Sequence, residues 1–251
     1  MLNISFALAK KALGLGLVAG LMGCAVAPTP SAIQDPAEAQ NRDFHDFNVA
    51  LDKAFLRPVA KGLDTVAPDP VLEGVANFAD NLDGPKSVVN NLLQLRLDKA
   101  AENALRFALN STIGIGGLFD PATALGIPGD PSDFGETLHI WGMAEGNYAE
   151  LPLLGPTTDR DTLGAVVDLA LNPLRLIIPA DYAYVPPAAK LAATIGDRSR
   201  YSETYDSVLY DSADGYAQAR LLYLQNRRFE LGITAAEEDA YVDPYEDPYA
   251  E

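Results

Sequence analysis

The chain has 251 residues, a formal net charge of −17 at pH 7 and a single cysteine. This length is enough for one or two domains with a buried core, and a lone cysteine excludes a disulfide within the chain. The acidity argues against binding to nucleic acid or to anionic membrane surfaces through a basic patch, because both need Lys and Arg beside phosphates. Any membrane attachment therefore has to come from apolar burial or a lipid anchor.

Residues 1–23 have the features of a cleaved signal peptide. A lysine pair precedes an apolar run of eleven residues, 12–22, which is too short to span a bilayer but fits a secretory signal. The run closes on "LMGC", which resembles the lipobox of bacterial lipoproteins. That resemblance implies that Cys24 is acylated and becomes the mature N-terminus. The alternative is an ordinary signal peptide that happens to contain a cysteine.

The two ends of the mature chain differ in composition from its middle. Ala25 stands where sorted lipoproteins retained at the inner membrane carry Asp, so the resemblance favours the outer membrane of a double-membraned bacterium. Residues 24–34 are small, polar and proline-bearing, as expected of a lipidated tether. Residues 233–251 contain seven acids and no base, and we expect a disordered tail there. A helical domain over residues 35–232 is expected between them.

The first helical pattern in that domain is an apolar stripe. Phe44, Phe47, Leu51 and Phe55 recur at steps of three and four, which predicts one face of a helix that ends before Pro58. Stripes of this kind face a core more often than a ligand, so we expect this one to be buried.

Further helical patterns follow along the chain. The same period continues over residues 87–95 and 97–109, and a tyrosine-rich stripe runs from Tyr201 to Asn226 before the predicted helix end at Gly232. Strict alternation of β-branched residues is missing, so the sequence predicts an all-α protein.

The apolar segment 163–180 needs separate treatment. Asp168, Arg175 and an Asn-Pro pair interrupt it, which a membrane-spanning helix rarely tolerates. We expect two short helices with a bend at Pro173, lying in the membrane plane or lining the interior.

The glycine-rich stretch Asn110–Gly126, "NSTIGIGGLFDPATALG", is not a nucleotide-binding motif. A dinucleotide fingerprint would need glycine in place of Phe119 and a preceding strand. His45 and His139 stand on separate segments without ligand spacing, so no metal site is predicted. His139 near Asp133 is the only pair worth considering for catalysis. We expect no enzyme activity, no metal and no cofactor.

Five segments in a fixed order, behind the lipobox, carry a resemblance to a known family. They are "NRDFHDFNVALDKAFLRPVA" (41–60), "NFADNLDGPKSVVNNLLQ" (77–94), "RFALNSTIGIGGLFDPA" (106–122), "DFGETLHIWG" (133–142) and "LPLLGPTTDRDTLG" (151–164). Together they closely resemble the VacJ, or MlaA, lipoprotein family, from about Asp35 to Phe229. The acidic tail is not part of the shared pattern.

This resemblance implies a fold and a function. The fold is a ring-shaped bundle of amphipathic helices around a central channel, seated in the inner leaflet of the outer membrane. The function is removal of misplaced glycerophospholipids from the outer leaflet, in complex with a trimeric outer-membrane porin. The lipid then passes to a soluble periplasmic lipid carrier. The alternative is a non-transporting structural or adaptor lipoprotein that holds partners at the membrane.

The candidate residues for the lipid path come from the same motifs and leave several roles open. The glycines either border the channel or only permit close helix packing. Asp133 and Arg160 either form a buried ion pair or line the channel, and Trp141 and Tyr148 lie either at the membrane interface or in the core. The candidate lipid-path residues are Asn41, Gly114, Gly116, Gly117, Asp120, Asp133 and Arg160.

Overall fold

The computed structural model describes residues 33–233. The predicted signal peptide, Cys24, most of the tether and almost all of the acidic tail lie outside these residues. The helices, in chain order, are α1 (Glu38–Leu51), α2 (Arg57–Val66), α3 (Asp69–Leu93), α4 (Leu97–Thr112), α5 (Pro121–Ala124), α6 (Phe134–Ile140), α7 (Asp159–Leu171), α8 (Leu174–Ile177), α9 (Val185–Arg200), α10 (Ser202–Asp206) and α11 (Gly215–Glu230). Shorter helical turns cover Asp52–Leu56, Ala180–Tyr182 and Ser207–Asp211. The predicted helical fold is thus confirmed.

One β-hairpin interrupts the helices. Strands β1 (Tyr148–Leu151) and β2 (Gly155–Thr158) pair antiparallel. Asn48 on α1 holds the turn, because its side chain donates to the Leu151 carbonyl at 3.0 Å and accepts from the Leu153 N–H at 2.8 Å. Each strand has only four residues, which is too short for an alternating pattern to be recognised in the sequence.

The predicted end of the first helix before Pro58 is wrong. A wide π-type turn, Asp52–Leu56, joins α1 directly to α2, and Pro58 lies in the first turn of α2. Proline has no N–H to donate, and a first helical turn or a widened turn tolerates that loss. The chain therefore continues as a helix to Val66.

The apolar stripe of α1 does not face a core. Phe47 and Phe55 are 49% and 50% exposed, whereas Asn41, His45 and Asp52 are buried. The expectation that this stripe would be buried is therefore wrong for Phe47 and Phe55, whereas Phe44 and Leu51 are half-buried. Polar side chains take the inner face, where they form hydrogen bonds with other elements.

This inverted pattern extends over the described part of the chain. Seventeen polar or charged residues are buried there, against nine apolar ones. Water-soluble domains show the opposite preference, and extensive exposed apolar surface marks an interaction with a membrane or another protein. Large apolar side chains that are more than three-quarters exposed include Val66, Leu95, Leu154, Leu176 and Phe229.

Buried ion pairs replace apolar contacts between the first helices and the C-terminal ones. Arg198 on α9 donates to Asp52 from Nε at 2.9 Å and from Nη2 at 3.1 Å, and it also reaches Asp206 at 2.5 Å. Tyr210 donates to the same Asp52 carboxylate at 2.6 Å. Because both partners of the Asp52–Arg198 pair are almost fully buried, each depends on the other for charge compensation.

A small apolar core lies beneath the hairpin. Tyr148, Tyr216 and Leu224 are buried together, with Tyr223 against them, and the Tyr148 and Tyr216 rings meet edge to face at 5.9 Å. Of the two roles considered for Tyr148, the core position is the one observed. Trp141 is 57% exposed, and its indole N–H donates to the Leu93 carbonyl at 3.3 Å.

The predicted bend in segment 163–180 is confirmed. Helix α7 ends at Leu171 and α8 begins at Leu174, after Pro173. The Asn172 side chain accepts from the Leu174 N–H at 2.9 Å and so starts the second helix. Within residues 33–233, no helix combines the length and the apolar character needed to cross a bilayer.

Helices α6 and α7 cross at a pair of glycines, which places two functional carboxylates together. A Cβ atom on Gly164 would lie 2.4 Å from the Gly135 nitrogen, and one on Gly135 would lie 2.5 Å from the Asp161 carboxylate. Only residues without a side chain allow this approach. The crossing brings Asp161 next to Asp133, which caps α6 by accepting from the Glu136 N–H.

Candidate functional site

Two cavities lie side by side within the helical body. The larger has a volume of about 640 Å³ and is bounded by α3, α4, the segment 129–136 and the end of α11. The smaller has about 460 Å³ and is bounded mainly by α3, α7 and α11. Both volumes fall in the usual range of ligand sites. We call them the polar cavities, and five residues line both: Asp83, Lys86, Asp133, Arg227 and Glu230.

Helix α3 supplies one wall of the larger cavity. Asn77, Asn81, Gly84 and Ser87 follow one another at helical spacing and all line it, since residues three and four apart share a face. The helix presents polar groups inward here, which is the reverse of an ordinary amphipathic helix in a water-soluble protein.

Side-chain amides fix the opposite wall to the helices. Asn103 donates to the Asp130 carbonyl at 2.7 Å. Gln94 donates to the Ser132 and Thr137 hydroxyls at 2.8 and 2.9 Å. The bond from Asn103 satisfies a backbone carbonyl of the loop, and the bonds from Gln94 satisfy two side-chain hydroxyls. These bonds tie the wall to α4 and to the end of α3.

Arg227 on α11 joins three elements at the boundary between the cavities. Its Nη2 contacts Asp133 at 2.7 Å and Asp161 at 3.1 Å, and its Nη1 contacts Glu230 at 3.1 Å. Burial lowers the pKa of Arg227, but the hydrogen bonds and charges of Asp133 and Asp161 outweigh it and raise the pKa above its usual range. Arg227 therefore stays charged and compensates the charge of the carboxylates around it.

The expected ion pair between Asp133 and Arg160 is not formed. Asp133 is paired with Arg227, and Arg160 contacts the adjacent Asp161 through Nε at 3.3 Å. Arg160 is 1% exposed and is not among the residues that line the polar cavities. The correct partner could not be predicted from local sequence, because Arg227 lies 94 residues after Asp133.

Asp120 lies on the wall of the larger cavity and also caps α5, as considered from the sequence. Its carboxylate accepts from the Thr123 N–H at 3.0 Å, from Asn110 at 2.9 Å and from Arg106 at 2.8 Å. Burial raises the pKa of Asp120, but hydrogen bonds from the Thr123 hydroxyl and N–H, together with those from Arg106 and Asn110, outweigh it and lower the pKa to about 2. Asp120 is thus ionised and tied to Arg106, which lines the same cavity.

The remaining candidate residues lie elsewhere. Gly114, Gly116, Gly117 and Asn41 are not among the residues lining the polar cavities. A Cβ atom on Gly117 would lie 2.5 Å from the Cβ of Asn81, whereas one on Gly116 would meet nothing within 4 Å. The glycine cluster therefore turns the chain and packs it closely against α3.

Asn41 links α1 to the hairpin. Its side chain donates to the Tyr148 carbonyl at 3.3 Å and accepts from the Glu150 N–H at 3.0 Å. It also donates to Asp35 at 2.8 Å. Its role in the described structure is to position β1, away from the cavities.

Lys86, like Arg227, is a cation that lines both cavities. Its Nζ lies 3.3 Å from Asp83, and Lys190 approaches the same carboxylate at 3.2 Å. Burial raises the pKa of Asp83, but Lys86 and Lys190 outweigh it and lower the pKa.

Two carboxylates in the cavities have no cationic partner within ion-pair distance among the described residues. Asp80 makes no such pair and no side-chain hydrogen bond there. Burial, together with Asp83 and Asp197, raises the pKa of Asp80. Asp168 accepts only from the Asn90 side chain and the Phe134 N–H, and burial raises the pKa of Asp168.

The histidine that was considered for catalysis does not pair with its carboxylate. No hydrogen bond joins His139 to Asp133 among the described residues; that carboxylate accepts from Arg227 and from the Glu136 N–H. Burial, followed by the charge of Arg160, lowers the pKa of His139. Over residues 33–233, no group of three His, Cys, Asp or Glu side chains is arranged to hold a metal ion.

Several residues of the site were not singled out from the sequence. Lys86, Asp80 and Asp83 lie within the segment 77–94 that carried the family resemblance. The signal that could have found them is the helical spacing of polar residues from Asn77 to Gln94, which marks a polar face on a helix that is otherwise apolar.

Comparison with known proteins gives consistent matches over the described region. The family model described as MlaA lipoprotein matches residues 33–230. An uncharacterized protein of Rickettsia conorii is 38% identical over 189 residues, which cover 75% of this chain and 74% of that protein. The intermembrane phospholipid transport system lipoprotein MlaA of Haemophilus influenzae is 34% identical over 202 residues, or 78% of this chain and 79% of that protein.

A solved structure has the same architecture. It was reported under the heading "Structural basis for maintenance of bacterial outer membrane lipid asymmetry" and matches with a TM-score of 0.69 at 32% identity. The match covers 78% of this chain and 98% of the solved chain. The polar interior, the order of the five sequence segments and these matches agree, and the chain belongs to the MlaA lipoprotein family.

Proposed function

We propose that this protein removes mislocalised glycerophospholipids from the outer leaflet of the outer membrane and passes them on for retrograde transport. Relatives named as lipoproteins of an intermembrane phospholipid transport system support this proposal. The observation that carries it is the inverted distribution of polarity: charged cavities inside a helical body whose exterior exposes many large apolar side chains.

The physical reason is the cost of moving a head group through hydrocarbon. A charged phosphate that loses its hydration without a partner is very costly to bury. Lys86 and the amides of α3 on the cavity walls would replace that hydration, while the acyl tails stay beside the apolar exterior. Cavity volumes of about 640 and 460 Å³ allow a head group to enter.

The anchor and the partners belong to the same proposal. Acylation of Cys24 would hold the protein at the inner leaflet of the outer membrane, on the periplasmic side. A trimeric outer-membrane porin would place it beside the outer leaflet, and a soluble periplasmic lipid carrier would accept the lipid. No covalent bond is broken at any stage, so the protein acts as a transport component and not as an enzyme.

Lipid profiling of a strain lacking the protein tests this function. The deletion should raise outer-leaflet phospholipid above the wild-type level, and a plasmid copy should restore it. Unchanged outer-leaflet phospholipid in the deletion strain would refute the transport role and favour the adaptor alternative.

Two variants on α7 make the test specific to the cavities. Ala165 lines the smaller cavity and Ala170 does not, and both are exposed alanines of one helix. Ala165→Trp should fail to restore the lipid level, because the indole fills the cavity, whereas Ala170→Trp should restore it. Equal restoration by both variants would count against a path through this cavity.

A further inference from the structure

The walls of the polar cavities carry an excess of negative charge. Their lining residues include nine carboxylates and only four cationic side chains. The cations are Lys86, Arg106, Lys190 and Arg227; the carboxylates are Asp80, Asp83, Asp120, Asp130, Asp133, Glu136, Asp161, Asp168 and Glu230. An acidic wall enclosed by protein repels a ligand of net negative charge more strongly than an open surface does.

Most of these charged groups form ion pairs with one another. Arg227 is bound by Asp133, Asp161 and Glu230, and Arg106 is bound by Asp120. The Arg106 guanidinium makes a further bond to the Thr123 hydroxyl at 3.0 Å. These guanidinium groups already have carboxylate partners, so an entering phosphate would have to displace a carboxylate to reach them.

Two oppositely charged groups on α3 have fewer partners than these guanidinium groups. Lys86 is a compact cation whose nearest carboxylate, Asp83, is shared with Lys190. Asp80 lies in the same cavity with no ion pair of its own among the described residues. Asp80 and Lys86 are six residues apart on one helix, a rise of about 9 Å and a rotation of about 120° around its axis. Both line the larger cavity, so a positive and a negative group of the ligand can be bound at its wall.

Building on the proposed function, we propose that the polar cavities select glycerophospholipids whose head group carries an ammonium over those with a net negative head group. The lipid phosphate pairs with Lys86, and the ammonium pairs with Asp80. A head group without the ammonium leaves Asp80 uncompensated and adds a negative charge to an acidic wall. Such a lipid therefore enters the cavities less readily.

A competition experiment on the full chain in detergent tests this selection. Phosphatidylethanolamine and phosphatidylglycerol with identical acyl chains, offered in equal amounts, are counted on the protein by native mass spectrometry. We expect an ethanolamine-to-glycerol ratio of about two- to fivefold, the discrimination that an exposed ion pair provides, since Asp80 is exposed. A ratio near one would overturn the selection but leave transport standing. Retention of neither lipid would contradict the proposed function itself.

Charge variants on α3 test which residue distinguishes the two lipids. Asp80→Asn should lower the ratio towards one, and Asp80→Lys should reverse it in favour of phosphatidylglycerol. Glu73→Gln removes the same charge from an exposed position of the same helix outside the cavities and should leave the ratio unchanged. Equal effects of Asp80→Asn and Glu73→Gln would refute recognition by Asp80 and point to general surface charge.

A soluble competitor tests whether the ligand is the whole lipid or only its head group. Glycerophosphoethanolamine at the same concentration as the lipid should not displace phosphatidylethanolamine, because the acyl chains contribute most of the apolar contact. Full displacement would overturn the lipid as the ligand.

Discussion

Arg227 on the last helix donates a hydrogen bond to Asp133, the N-terminal cap of α6, at 2.7 Å. The same guanidinium nitrogen reaches Asp161 on α7 at 3.1 Å. One side chain therefore ties the C-terminal helix to the crossing of α6 and α7. Arg227 and Asp133 also line both cavities, so the contact connects the stability of the fold to the shape of the site.

Removing the charge of Arg227 should destabilise the fold. Arg227→Gln leaves Asp133, Asp161 and Glu230 close together without their shared partner, and we expect the free energy of unfolding to fall by about 3 kcal/mol. Chemical denaturation of the full chain in detergent measures it. Arg42→Gln is the matched control, because the Arg42–Asp214 pair is 39% and 43% exposed and exposed pairs contribute at most about 1 kcal/mol. Equal losses would contradict the role assigned to Arg227.

The ionisation of Asp120 should make the free energy of unfolding depend on pH. The pKa of Asp120 is lowered to about 2 from an ordinary value of 3.8, so the folded state favours the ionised carboxylate. That contribution, at most about 2 kcal/mol, is complete above about pH 4 and is lost as the pH falls towards about 2. Asp120→Asn should lower the free energy of unfolding at neutral pH, and its difference from the wild type should shrink on acidification.

The control for this acid dependence is Asp46→Asn. Asp46 is exposed and makes no side-chain hydrogen bond to the described residues. Its substitution should leave the unfolding curves unchanged at each pH from 2 to 7. A constant difference between wild type and Asp120→Asn over this range would show that Asp120 acts through shape and not through charge.

The glycine crossing of α6 and α7 should not tolerate a methyl group. In Gly164→Ala the new Cβ would lie 2.4 Å from the Gly135 nitrogen, so the helices must separate, at a cost of about 1–3 kcal/mol. Gly196→Ala on α9 is the matched control, since a Cβ there meets nothing within 4 Å and alanine is preferred inside helices. We expect Gly196→Ala to be neutral or stabilising by thermal unfolding; a similar loss in both variants would refute the packing argument.

Alanine variants at Gly116 and Gly117 distinguish the cost of backbone strain from the cost of a steric contact. Both have positive φ, 74° and 100°, so alanine at either position should cost about 1–2 kcal/mol. Only Gly117 would also place its Cβ against Asn81, at 2.5 Å. Gly117→Ala should therefore be the more destabilising variant by denaturant titration, and the reverse order would show that the contact with α3 is not limiting.

Much of the fold could be predicted from local sequence. Helical periodicity and the Asn172–Pro173 break give the helices and the bend, because these signals depend on neighbouring residues. The hairpin at Leu151–Gly155 could not be predicted, since its four-residue strands are held by Asn48 from a distant helix. The continuation of the helix through Pro58 could not be predicted either. A π turn changes the backbone hydrogen-bonding pattern and is not marked by particular residue types in the sequence.

The orientation of the helices was the larger error, and its cause is general. Assigning the aromatic stripe of α1 to a core assumes that water surrounds the protein. Phe47 and Phe55 face outward, while Asn41 and His45 face inward. Periodicity identifies a two-faced helix but does not identify the solvent on either side. The same limit hid the pairing of Asp133 with Arg227, which depends on tertiary contacts.

The most direct measurement is to map where a lipid head group touches the protein. A glycerophospholipid with a photoreactive head group is incorporated into nanodiscs with the full chain, and the adducts are located by peptide mass spectrometry. We expect adducts on the cavity-lining parts of α3 and α7, around residues 77–87 and 165–172, and their loss in Ala165→Trp but not in Ala170→Trp. Adducts confined to other surfaces, with none at the cavity walls, would contradict a polar route for lipid head groups through this protein.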